Sequence, residues 1–146
     1  MNTAPNFNED LLHGQSAEDY ILTIVRRKYP KAYRAEGYEP KYDIMIPEIQ
    51  KTIEVKYDLK SATTGNVAIE YRYNGKLSGL STSEADWWAL VYVIDGSVCH
   101  HFIDTNRLRA YLKQGVYERA VGGDYNGSSI ILLPVIEIEL IRGGII

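Results

Sequence analysis

A single cysteine, Cys99, stands among 146 residues. One thiol cannot close an intramolecular disulfide, so a reducing cytoplasm is the expected setting. Cys99, His100 and His101 invite a zinc reading, but neighbours on a strand point to opposite faces and His13 is isolated. A structural role is therefore expected for them. Long apolar runs are also missing, and none approaches a membrane span. The apolar stretch over residues 130–140 is broken by Pro134, Glu137 and Glu139. The first residues are polar and acidic, with no basic region leading into an apolar run, so neither a signal peptide nor a membrane partner is expected. There is no repeat and no low-complexity tract. Neither sign of charge dominates: 16 Lys and Arg against 19 Asp and Glu leave a net charge of -3. Taken alone that argues weakly against nucleic acid. Net charge hides clustering, however, and the bases are grouped, with Arg26, Arg27, Lys28, Lys31, Arg34 and Lys41 in the first third. Phenylalanine is scarce at two residues, while tyrosine is abundant at twelve. Tyrosine suits interfaces, where a large ring and a polar tip both find partners.

What is present fits one soluble domain. Apolar content of 45% and charged content of 24% are ordinary for a globular chain of this length. Residues 1–15 read as a flexible lead-in and 16–146 as a single domain. Ser16 with Asp19 can open a helix, carried by Tyr20, Ile21, Ile24 and Val25 and stopped by Pro30. Residues 66–73 alternate as a strand. Ser81 with Glu84 predicts a second helix running through Trp87 and Trp88. Two adjacent indoles on a helix cannot both face the core, so Trp88 is assigned to the core and Trp87 to an edge or base-stacking position. Strands follow at 90–94 and 98–103 around an Asp95-Gly96 turn, then a helix capped by Asp104, then a last apolar strand. This order predicts an α/β domain of the α+β variety with a mixed sheet.

The most informative stretch is residues 42–57, YDIMIPEIQKTIEVKY. Two alternating runs flank Pro47-Glu48-Ile49-Gln50, which predicts a β-hairpin. Folded symmetrically, it sets Asp43 opposite Glu54, with Cβ atoms about 5 Å apart. Lys56 returns to the face of Glu54. Asp43, Glu54 and the Val55 carbonyl then offer oxygens to a small hard cation, with Glu18 or Glu70 as further donors. Lys56 can orient an attacking water and counter charge on phosphorus. The plainer reading is a solvated charged face in which Asp43 pairs with Lys56. Around Glu70, the Gly- and Ser-rich turn with Arg72, Lys76, Ser81 and Thr82 offers room and donors for a backbone phosphate. Its plainer reading pairs Arg72 with Glu70 and leaves Ser81 as a cap. Arg26, Arg27, Lys31 and Arg34 can steer DNA or form the solvated side of the first helix.

The order Glu18, Asp43, Glu54-Val55-Lys56 resembles the PD-(D/E)xK nuclease superfamily, nearest to its small Holliday junction resolvase-like and phage endonuclease members. The resemblance covers residues 16–94 by element order. It departs from the family pattern at Tyr42, where a proline often precedes the aspartate. It implies a restriction-endonuclease-like core with a central mixed β-sheet flanked by helices. Asp43 and Glu54 would be metal ligands together with the Val55 carbonyl, Lys56 the catalytic lysine, and Glu18 the helix acid. Mg²⁺, with Mn²⁺ as a substitute, is the implied cofactor. DNA is the implied partner, and a homodimer or higher even-numbered oligomer the implied assembly. A phage-encoded member would work in its host's cytoplasm. The activity implied is structure-specific or weakly sequence-specific DNA hydrolysis, by nicking or junction cleavage. The competing account is a non-catalytic DNA-binding, inhibitory or assembly protein on the same fold.

Overall fold

The computed structural model describes residues 15–37, 41–115, 117, 119–122 and 127–141. The chain begins with α1 (Gln15–Arg26), β1 (Tyr33–Arg34), β2 (Ile44–Ile46), β3 (Lys51–Tyr57) and the single turn α2 (Ser61–Thr64). Next come β4 (Asn66–Tyr73), β5 (Lys76–Leu77), β6 (Trp87–Ile94) and β7 (Ser97–Asp104). It closes with α3 (Thr105–Gln114), β8 (Arg119–Gly122), β9 (Ser128–Pro134) and α4 (Val135–Ile138). The lead-in assigned to residues 1–15 lies outside the described residues apart from Gln15, as does most of the loop at 122–128.

Helix α1 forms because Ala17, Ile21, Leu22 and Val25 recur at helical spacing, and all four are buried. The hairpin takes the register its symmetry predicts, with Ile44 opposite Ile53 and Ile46 opposite Lys51. Gln50 closes its turn in the left-handed region, at φ 53°. The sheet continues from β3 to β6, which runs parallel to it, and then to antiparallel β7. Asp95 and Gly96 both have positive φ, 49° and 76°, as a two-residue type I′ hairpin requires. The result is a mixed five-stranded sheet in the order β1-β2-β3-β6-β7.

The expected single central sheet is corrected in one respect: β4 leaves it. β4 joins a second, four-stranded antiparallel sheet, ordered β5-β4-β9-β8. Gly65, at φ 72°, ends α2 and redirects the chain. The Asp58 carboxylate then fixes the new course by accepting from the Ala68 N–H at 2.9 Å. Val67, Ile69 and Leu133 of the second sheet meet Trp88, Leu90, Tyr92 and Ile103 of the first, and α3 adds Leu108 and Leu112. A separate core forms on the other face, where α1 covers Ile44, Ile46, Ile53, Trp87, Ala89, Val91 and Phe102. The mixed sheet therefore has a helix on one side and a second sheet on the other. The domain is α+β.

The predicted helix through residues 81–88 is also corrected. One 3₁₀ turn, Gly79–Ser81, is all the helix there is, and β6 starts at Trp87. Trp87 and Trp88 are only 3% and 5% exposed. Alternation along the strand sends them into different cores, so neither is an edge group. The run 87–94 is apolar throughout because both faces of β6 are covered. Among the described residues no helix is long and apolar enough to cross a membrane.

Candidate active site

Asp43 stands one residue before β2, its N–H donating to Ile53 O at 2.9 Å, one residue out of step with the β2–β3 register. Its Oδ2 accepts from the Val55 N–H at 2.8 Å, so the side chain lies alongside β3, where a strand partner's carbonyl would otherwise sit. Glu54 and Lys56 share a face of β3, and their neighbours across on β6 are Trp88 and Leu90. That is the face turned toward the second sheet. Both side chains are half-buried.

Burial, and then the charges of Asp43 and Glu18, push the Glu54 carboxyl up to about 7. Asp43 is raised as well. Burial is the main cause; the Val55 amide works against it, Glu18 adds to it and Arg34 opposes it. Glu54 thus feels the charges of both Asp43 and Glu18. Glu18, in the first turn of α1, does not join the other two as a free ligand, because its Oε1 is paired with Arg34 Nη2 at 3.0 Å. The same guanidinium holds Asp19 at 2.9 Å. Accordingly, no group of three or more His, Cys, Asp and Glu side chains is poised to hold a metal ion among the described residues. What exists is an opposed pair, Asp43 and Glu54, made costly to ionise together. Such a pair fits a hard divalent cation that takes few protein ligands and keeps several waters.

The other expected site residues fall differently. Glu70 sits on the second sheet and accepts from the Ser78 and Ser128 hydroxyls. It is occupied there, and its strand belongs to a different sheet from β3, so it does not supply the further oxygen expected of it. Arg72 donates to the Gly75 carbonyl at 3.3 Å rather than to Glu70. Lys76 pairs with Tyr73 on the exposed hairpin β4–β5. Ser81 caps no helix and lines an apolar cavity beside Arg109 and Tyr71. Thr82 does come to Glu54, though not to Asp43. It lines a cleft of about 230 Å³ with Glu54, Lys41, Gly79, Ser83, Glu84 and Trp88. Of the basic group on the first helix and after it, Arg26 donates to Ala32 O at 2.8 Å and Arg34 is spent on Glu18 and Asp19. Both line a different depression, with Leu22, Tyr33 and Glu36. Arg27 and Lys31 are exposed. His100 and His101 are structural: the first meets the Tyr20 hydroxyl at 2.9 Å, the second the Ile141 carbonyl at 3.0 Å.

Lys41, Ser83, Glu84 and Arg109 were not expected at this cleft: sequence reasoning read Lys41 only as one of a basic group and Glu84 only as part of a capping box. Arg109, on α3, donates to the carbonyls of Leu80 and Ser83 and so fixes the loop that walls the cleft. The Trp88 indole N–H adds a bond to Ser83 Oγ at 3.0 Å. Nothing in the spacing of these residues signals the contact, since they come from three separate segments. Compared with family models, with curated proteins and with solved structures, the chain finds no match.

Proposed function

We propose that the protein is a metal-dependent endonuclease that hydrolyses DNA phosphodiester bonds on a restriction-endonuclease-like core. The observation that carries this reading is the placing of Asp43 against β3, its carboxylate held by the Val55 N–H next to Glu54, with Lys56 on the same face of β3 as Glu54. Mg²⁺ or Mn²⁺ would be held by Asp43 and Glu54, with the Val55 carbonyl as a further oxygen. When bound, such an ion polarises the phosphate and lowers the pKa of a water.

The chain's own residues do the rest. Asp43 is fixed by the Val55 amide, so its position does not depend on the ion. Lys56 hydrogen-bonds the attacking water and offsets charge gathering on the phosphate oxygens. Water attacks phosphorus directly, one P–O bond breaks, and no covalent enzyme intermediate forms. Arg34 tethers Glu18, whose charge keeps Glu54 hungry for a cation. The cutting assigned to this site is structure-specific or weakly sequence-specific, by nicking or junction cleavage. Two copies would place two such sites across two strands. Strand β7, the eight-residue edge of the mixed sheet, is the surface we assign to that contact.

The test is digestion of plasmid, single-stranded, flap, nicked and four-way-junction DNA with and without Mg²⁺. Cleavage is expected only with the ion, and it is lost in Glu54→Gln and Lys56→Ala while folding and DNA binding persist. Cleavage by both variants at the wild-type rate would reject the assignment.

A further inference from the structure

The cleft beside Glu54 has a cation at its mouth. Lys41 lies two residues before Asp43, and its Nζ meets Glu84 Oε2 at 3.3 Å. The two side chains come from opposite walls, one from the approach to β2 and one from the loop after the 3₁₀ turn. Both are well exposed, at 75% and 66%. An ion pair in that much water contributes little and opens cheaply. The wall behind Glu84 is, by contrast, firmly built. Arg109 holds the carbonyls of Leu80 and Ser83, and Trp88 holds the Ser83 hydroxyl. The pair is thus a loose contact mounted on a fixed wall, lining the same cleft as the half-buried Glu54.

We propose that Lys41 is a phosphate-binding residue of this cleft, and that Glu84 occupies it until a nucleic-acid backbone arrives. The inference rests on the nuclease reading and narrows it to the phosphodiester chain next to the cut. A backbone phosphate takes the place of the Glu84 carboxylate on the Lys41 ammonium, and Glu84 swings into solvent. Lys41 touches substrate at a phosphate that does not react, so it affects binding rather than the bond-breaking step. Glu84 competes with the phosphate for the same cation, so its removal favours DNA. A merely structural pair predicts something else, because losing either partner would then have the same effect.

The experiment measures binding of a labelled DNA duplex by fluorescence anisotropy in EDTA, where no cleavage occurs, across a range of salt. Lys41→Ala is expected to weaken binding about 3–10-fold and to reduce the slope of log affinity against log salt by about 0.9, the loss of one phosphate contact. Glu84→Gln is expected to tighten binding about 2–3-fold, and the double variant to behave as Lys41→Ala does. With Mg²⁺ present, Lys41→Ala raises KM and leaves kcat at saturating DNA unchanged. Thermal melting of both variants should match the wild type, since the pair is exposed. Equal shifts of Lys41→Ala and Glu84→Gln in one direction, or an unchanged salt slope, overturn the proposal even if Glu54-dependent cleavage is found. The expected binding pattern in a protein that never cleaves would uphold the phosphate site and reject the nuclease reading.

Discussion

Glu54 is the residue at which the site's chemistry and the fold's stability meet. Its carboxyl is raised to about 7 in the folded protein, against about 4.3 in an unfolded chain. Between those values the folded state binds the extra proton, so stability falls as pH rises through that window. The expected loss, discounted for solvent, is on the order of 2 kcal/mol. His100 opposes it. Burial, and then the charges of His101 and Arg27, hold its imidazole below the usual histidine range. The unfolded chain therefore takes up that proton first, and stability is lost as pH falls below about 6.5. Urea melts from pH 5 to 8 without metal should show both trends, and in Glu54→Gln only the acid loss should remain. Added Mg²⁺ should restore stability at pH 8 far more than at pH 5.5, because the cation competes with the Glu54 proton. A pH dependence identical in the wild type and Glu54→Gln would contradict the raised Glu54 carboxyl. Asp43→Asn should weaken Mg²⁺ binding by calorimetry at least tenfold, since it removes half of the ligand pair.

At the scale of elements, the loop between β5 and β6 decides whether the cleft exists. Gly79 begins its 3₁₀ turn at φ 52°, and a side chain there would overlap the Glu70 carbonyl. Gly79→Ala combines a left-handed strain of about 1 kcal/mol with that clash. The expected outcome is a stability loss of about 2–3 kcal/mol, read by urea or thermal melting, because the whole turn must move. Melting like the wild type would mean that the loop is not held as described. The same loop marks where sequence reasoning stopped. The hairpin at 42–57 was legible because its pattern, its turn and its register are all local. Asp104 and the Asp95-Gly96 turn were legible for the same reason. The Ser81–Glu84 spacing also has a local signature, that of a capping box, but here it lost to burial. Trp87 and Trp88 open a strand that needs apolar groups on both faces, and a pattern apolar on every residue has no period to read. Pairing of β4 with β9 instead of β3 is a long-range choice that no local signal carries. It is what placed Glu70 with Ser78 and Ser128 and away from the acid pair.

For the whole molecule, the open question is its edges. The mixed sheet ends at β1, only two residues long, and at β7, eight residues long. Short edges are self-protecting, and long ones are usually blunted by lysine, proline or a bulge. β7 has none of these: its eight residues, SVCHHFID, pair with β6 in unbroken register. On its outer side no backbone hydrogen bond is made by residues 98–103 with other described residues. Antiparallel pairing of β7 with its own copy about a two-fold axis would satisfy those groups and give a closed dimer. Cys99 lies near the middle of the strand and is the chain's single thiol. Any cysteine-to-cysteine cross-link must therefore join two chains. Sedimentation is expected to give a dimer, and a short bismaleimide is expected to couple Cys99 to Cys99 in it. Val98→Lys, a charge of the kind that guards natural edges, should shift the protein toward monomer while leaving the Glu54 cleft intact. A protein that sediments as a monomer and still makes paired cuts would place the two-strand chemistry elsewhere than across β7.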